Sequence, residues 1–352
     1  MGLIKLPKQS IQYFNNNIGD IFESGFLAEG PWNKKLSEFI TKTTGAKCAI
    51  PTNSNGAGIV ALLNIYKHYF GRDSVIIQSN TMYGVKTMVP SGGCQLDGFV
   101  ECQLDTLMPN LNDVKNIIAK YNKQQKNKLI ILLSHIGGIV NPDIQAIADL
   151  CNQENIILLE DCAHSFAATL DKKHSGLFGD AGVYSFYSTK AIPAGEGGVV
   201  VTNNEELGGL ISNFGIYDRF EQKMEIGFNN RISEMQALLT YSVVKEWEHI
   251  FDNKRKIAEH YITVCSELGI PFIAQDQGGQ NGNYYKFTVY NKNIPISQYL
   301  SGLKTITSPV YDYSIGVNNP LAGFHACLPI WYGQEIEFTG KVVNELYKSL
   351  KK

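Results

Sequence analysis

The sequence contains no run of the ~18 apolar residues that a membrane-spanning helix needs, so none is expected. Its seven cysteines are scattered and show no CxxC spacing. That pattern points to reduced thiols in a cytoplasm, not to a disulfide framework or a zinc site. The seven histidines show no HExxH or similar spacing, so a metal enzyme is not expected. Charge of one sign is also scarce. A formal net charge of -2 argues against nucleic acid or an anionic membrane surface as the main partner. No GxGxxG leaves a strand for a helix, which counts against a nicotinamide-dependent enzyme. The opening residues, MGLIKLPKQS, are too polar and too short for a signal peptide, and Leu6 stands where a myristoylation signal needs Ser or Thr. The expected location is the cytoplasm.

What is present is material for a large core: 352 residues, 44% apolar and 18% charged. SVIIQS (74–79), CQLDGFV (94–100), KLIILLSH (128–135) and IILLED (156–161) read as strands. Their near-continuous apolar character predicts burial on both faces, as in a largely parallel sheet. Helical patterns lie between them: GIVALLNIYKHY after Gly56, residues 112–121, and DIQAIADLCNQ after Pro142. Strand and helix in alternation predict an α/β domain. From Ser233 a long helical stretch begins, with Ser233 and Gln236 expected to form a capping box. The polar segment 274–283 and the strand YYKFTVY follow. The expected division is a large α/β domain over 1–245 and a smaller α+β domain over 246–352.

IILLED ends in Glu160 and Asp161, at the strand edge where open α/β sheets bind ligands. Taken alone, Asp161 reads as a loop cap. Lys190 gives it a partner, because a second strand, VYSFYS, delivers the lysine amine to the same region. Pyridoxal phosphate requires a lysine for a Schiff base, an acid against its pyridine nitrogen and donors for its phosphate. The turn Asn55, Gly56, Ala57, Gly58 opens onto a helix and is a candidate cradle for that phosphate. An ordinary N-cap from Asn53 or Ser54 is the competing explanation. Ser185 and Ser188 are further candidate donors.

EDCAHS, GLFGDAG and YSFYSTKAIPAGEGGVVVTN together resemble the core of the DegT/DnrJ/EryC1/StrS sugar aminotransferases. The likeness continues in GFLAEGPWNKKLSEF, SNGAGIVAL, SHIGGIVNPDIQAI, GFNNRISEMQALL and HACLPIW, in the family's order and over nearly the whole chain. It implies the fold-type I pyridoxal phosphate transferase architecture: a mixed, mostly parallel seven-stranded sheet flanked by helices, plus the smaller C-terminal α+β domain. Carried across position by position, it makes Lys190 the Schiff-base lysine and Asp161 the partner of the pyridinium nitrogen. His164 would lie near the cofactor's 3-hydroxyl. Ser185 and the Gly56–Ala57 backbone, in the turn begun by Asn55, would hold the phosphate. Asn229 would reach the cofactor of a neighbouring copy, making the active unit a homodimer with shared sites. In GEGG, Gly195, Gly197 and Gly198 would let the backbone pass close to the cofactor.

Two positions depart from the family pattern. Ala57 stands where a phosphate-binding hydroxyl is usual, and Met82 stands where an aromatic residue stacks on the pyridine. Either Met82 covers the ring through its sulfur or Tyr83 shifts into place. The resemblance implies transfer of an amino group from L-glutamate to a nucleoside-diphosphate 4-keto-6-deoxy sugar, with a 3-keto isomer as alternative. A same-fold sugar dehydratase is disfavoured because its members carry His at the lysine position. A catalytically silent scaffold of this fold is the other alternative. Substrate choice would reside in loops around 217–223, 274–283 and 308–324.

Overall fold

A computed structural model describes residues 4–217, 219, 224–305, 309–311 and 321–350. Of the loops expected to choose the substrate, most of 217–223 and of 308–324 therefore lies outside the described residues. Along the chain the strands are β1 (Cys48–Thr52), β2 (Ser74–Gln78), β3 (Gln95–Val100), β4 (Leu129–Ser134), β5 (Ile157–Cys162), β6 (Thr169–Leu170), β7 (Lys173–His174), β8 (Ala181–Ser185), β9 (Gly198–Thr202), β10 (Gln280–Asn281), β11 (Phe287–Tyr290) and β12 (His325–Leu328). Seven of them form one sheet in the order β1-β9-β8-β5-β4-β2-β3. β9 is antiparallel to both neighbours, while the other six strands run the same way. The mixed, mostly parallel seven-stranded sheet expected above is present.

The apolar runs explain its layers. β4, β8 and β9 are buried at every position. Alternate residues of each strand enter different clusters: Val75, Ile77, Ile130 and Leu132 pack with Ile59 and Leu62 of the helix Asn55–Phe70. Ile76, Ile131 and Leu133 pack with Ile144 and Ile147 of the helix Ile144–Gln153. β3 departs from the expectation of two buried faces. It is an edge strand with Gln95 and Asp97 exposed. β1 carries no clear strand signal because Pro51 interrupts it. Proline is tolerated at a sheet edge, where β1 lies against β9.

The long helical stretch is two helices, Glu234–Val244 and Trp247–Leu268. Ser233 accepts from the Gln236 amide at 3.2 Å, as a cap should. The reciprocal half of the box is absent: the Gln236 side chain instead donates to the carbonyls of Ala194, at 2.6 Å, and Glu196. A helix end thus fastens the segment that follows Lys190. Glu234 joins two motifs in the same way. Its carboxylate accepts from the amides of Trp32 at 2.8 Å and Asn33 at 2.9 Å, capping the helix Pro31–Thr44. A Cβ on Gly30 would lie 2.8 Å from that carboxylate, which is why glycine precedes the proline there.

Candidate active site

The parallel strands all end at one edge, and the chemistry gathers there. A cavity of about 360 Å³ opens at that edge, lined among others by Asn55, Gly56, Met82, Asp161, Ser185 and Lys190. Asn55 and Met82 follow β1 and β2, while Asp161 and Ser185 lie at the ends of β5 and β8.

Asp161 is 5% exposed, and its carboxylate accepts three hydrogen bonds. The Asn55 side chain donates at 3.0 Å, the Ala163 amide at 3.1 Å and the Ser134 hydroxyl at 3.1 Å. Ser134 is the register neighbour of Asp161 on β4, and the Thr81 hydroxyl in turn lies 2.7 Å from it. These donors are all neutral. They orient the carboxylate and leave its charge to be matched from the cavity.

Lys190 is half-buried on the turn between β8 and β9. Burial lowers its pKa from 10.5 to about 8, Lys286 adds to the lowering, and Asp161 opposes it. The lowered value makes the free amine far more accessible near neutral pH than in an ordinary lysine, as a nucleophile requires. Its Nζ stands 5.6 Å from the centroid of the Tyr285 ring.

Other expected residues fall differently. The Asn55 side chain is engaged by protein: besides Asp161, it donates to the Val183 carbonyl at 2.8 Å. Ser54 is the helix cap, and its hydroxyl already accepts from the Ala57 amide at 3.1 Å. Gly56 lines the cavity, whereas Ala57 does not. Met82 lines it too, whereas Tyr83 is not among the lining residues and is 54% exposed. Ser185 faces the cavity, while Ser188 lines an adjoining pocket. Asn229 is exposed and is not part of the cavity wall of its own chain.

His164 is buried behind the wall. Its Nδ1 accepts from the Gly137 amide at 3.5 Å, and its Nε2 lies 3.4 Å from the hydroxyl of Tyr311, which lines the cavity. The ring also packs against Tyr285, with centroids 4.3 Å apart. Burial first, then Lys190 and Lys286, lower its pKa well below 6.5, so it is the neutral imidazole with its proton on Nε2.

At Gly198 of GEGG the close approach is to the protein's own backbone. A Cβ on Gly198 would stand 2.5 Å from the Asn55 amide, so the strand can pass the Ser54–Asn55 turn only as glycine. Segment 274–283 has a structural task. Asn283 donates to the carbonyls of His164 at 2.9 Å and Phe166 at 3.0 Å, and its amide donates to Gly138 at 3.0 Å. The only candidate metal cluster among the described residues, His135, Glu160 and Cys162, is a hydrogen-bonded knot. His135 lies 2.7 Å from Glu160, whose carboxylate also accepts the amides of Gly176, Phe178 and Gly179.

Ser134, Thr81 and Tyr285 escape sequence reasoning. Ser134 and Asp161 end adjacent parallel strands, and that pairing becomes visible only once register is known.

The donor set fits pyridoxal phosphate. A buried carboxylate held by neutral donors and an amine of lowered pKa share one cavity, beside a glycine backbone and a serine hydroxyl. The model of the DegT/DnrJ/EryC1/StrS aminotransferase family matches residues 9–298. A GDP-perosamine synthase of Vibrio cholerae is 31% identical over 278 residues, covering 77% of this chain and 71% of that protein. The crystal structure of a DegT DnrJ EryC1 StrS aminotransferase from Brucella abortus superposes with a TM-score of 0.87 at 19% identity, over 100% of both chains. The structure of NtdA from Bacillus subtilis with bound cofactor PMP gives a TM-score of 0.83 at 18% identity, over 99% of this chain and 83% of that one. The chain belongs to the DegT/DnrJ/EryC1/StrS aminotransferase family and is a pyridoxal phosphate-dependent sugar aminotransferase.

Proposed function

We propose that the protein transfers the amino group of L-glutamate to a nucleoside-diphosphate 4-keto-6-deoxy sugar, giving a nucleotide-linked amino sugar. The observation that carries this reading is the pairing of a depressed lysine amine, Lys190, with a carboxylate held by neutral donors, Asp161, at one cavity. The GDP-linked relative supports a nucleotide-sugar acceptor.

Pyridoxal phosphate, when bound, supplies an aldehyde that links covalently to an amine and a ring that accepts the electron pair left by a departing proton. Asp161 would hold the proton on the ring nitrogen, keeping the ring cationic. Lys190 Nζ would provide the resting covalent link. Once displaced by the donor's amine, it would take the donor's α-proton and return it to the carbon on the other side of the donor nitrogen, two atoms away. The phosphate would rest on the Ser185 hydroxyl and the Gly56 amide. Met82 would cover a ring face through its sulfur. His164 would act on the ring hydroxyl through Tyr311.

Asn229 would reach the cofactor of a second copy, so a homodimer with shared sites is part of the proposal. Apolar exposure supports it: Phe26 is 61%, Leu27 56% and Phe228 65% exposed. The first two adjoin the Asn229 segment through the Glu234 amide, which donates to the Leu27 carbonyl at 3.0 Å. The proposed division at 245/246 is supported by the separate apolar cluster that Ile257, Tyr261, Phe287 and Leu346 form.

The test is a panel of nucleotide-linked keto sugars incubated with ¹⁵N-glutamate and read by mass spectrometry. The expected result is ¹⁵N in the product of a 4-keto-6-deoxy sugar. Loss of water without nitrogen transfer, or no turnover of any sugar, would overturn the proposal.

A further inference from the structure

A smaller pocket of about 110 Å³ shares Thr189 and Lys190 with the main cavity. Its charged lining is four lysines, Lys5, Lys190, Lys254 and Lys286, and no carboxylate. Three of the amines surround one aromatic ring. The Nζ atoms of Lys286, Lys190 and Lys254 lie 5.0, 5.6 and 5.9 Å from the Tyr285 centroid.

Lys5 pairs with Glu335 at 3.9 Å, but Lys254 and Lys286 have no acidic partner among the described residues. Lys254 projects from the helix Trp247–Leu268 and is only 4% exposed. Burial and the neighbouring Lys286 lower its pKa from 10.5 to about 7. An unpaired ammonium is costly to bury, and a like charge beside it adds to the cost. A buried amine of lowered pKa in a cleft marks a candidate binding group, and an anion seated beside it would favour its charged form.

We propose that Lys254 and Lys286 form an oxyanion pocket that receives the side-chain carboxylate of the amino donor. The inference rests on the aminotransferase reading of the main cavity. Lys190 is common to both spaces, so a carboxylate seated between Lys254 and Lys286 lies beside the amine that the donor's nitrogen must displace. The volume suits a carboxylate and not a nucleotide. Two lysines give point charges with rotatable donors, which match a small oxyanion. Tyr285 forms the apolar wall for the donor's methylenes. An acidic donor would thereby be preferred over a neutral one such as alanine.

The test uses the holoenzyme and its Lys254→Met and Lys286→Met variants. Trp331 lines the pocket, so tryptophan fluorescence follows titration with glutarate. Loss of one charge-assisted hydrogen bond should weaken glutarate by about tenfold or more in each variant. In the donor half-reaction the KM for glutamate should rise by about the same factor, and by clearly more than the KM for alanine, which has no side-chain carboxylate. Unchanged glutarate affinity in both variants would overturn the pocket. Inorganic phosphate that binds it as tightly as glutarate, with glutamate KM unchanged, would assign it to free phosphate and overturn the donor assignment. Lys286 is half-buried, so its variant tests the pocket independently of any repacking around the buried Lys254. Borohydride reduction separates the two readings. A cofactor trapped on Lys190 with unchanged glutarate affinity defeats only the pocket, whereas failure to trap defeats the aminotransferase reading.

Discussion

Replacing Lys254 with methionine should stabilise the apoprotein at neutral pH, although the same change weakens donor binding. Methionine keeps the length of the stem and removes the charge. The lysine pKa falls from 10.5 unfolded to about 7 folded, with burial as the main cause. Below about pH 7 both states carry the proton, and the folded state bears the full cost. Between pH 7 and 10.5 the unfolded chain holds a proton that the folded chain has lost, so stability rises with pH. The linkage gives a cost of about 4 kcal/mol at pH 7, falling to about 2 kcal/mol at pH 9. Urea unfolding of the wild type and variant at both pH values isolates this contribution, because other titrations cancel in the difference. The variant should be more stable by several kcal/mol at pH 7, and its advantage should shrink by about half at pH 9. An advantage independent of pH, or a less stable variant at pH 7, would refute the buried, unpaired ammonium.

Ser134→Ala removes one donor from the Asp161 carboxylate and should weaken cofactor affinity by about tenfold, measured by equilibrium dialysis; unchanged affinity would show that the bond orients nothing. Gly198→Ala forces a Cβ to 2.5 Å from the Asn55 amide and should cost about 1–3 kcal/mol or prevent folding, read by thermal unfolding. The rate at which apoprotein takes up pyridoxal phosphate should rise with pH through about 8, where Lys190 loses its proton. A rate flat from pH 7 to 9 would contradict that lowered pKa.

Much of the sheet is legible in the sequence because its strands are buried on both faces and read as continuous apolar runs. β4 is the clearest case: every residue from Leu129 to Ser134 is buried. β1 is hidden by Pro51, whose tolerance depends on an edge position that only topology reveals. The capping box is half legible, because Ser233 obeys a local rule while the Gln236 side chain answers to a loop some forty residues earlier. The candidate site divides along the same line. Lys190 and Asp161 stand in motifs that chemistry explains, and the structure brings them to one cavity. The supports of Asp161 come from β4 and from the turn after β1, and Tyr285 arrives from the C-terminal region. Long-range pairing puts them there, with no local pattern to announce it. Asn55 and Gly198 show the converse. Both lie in motifs, yet each also makes a protein contact that no local pattern announces: Asn55 donates to Asp161, and Gly198 passes the Asn55 amide.

The most direct test of the account is borohydride reduction of the protein loaded with pyridoxal phosphate, followed by peptide mass spectrometry. The account predicts a reduced pyridoxyl group on the peptide carrying Lys190, and none after Lys190→Ala. A group fixed instead on Lys254 or Lys286, or no covalent adduct at all, would contradict it.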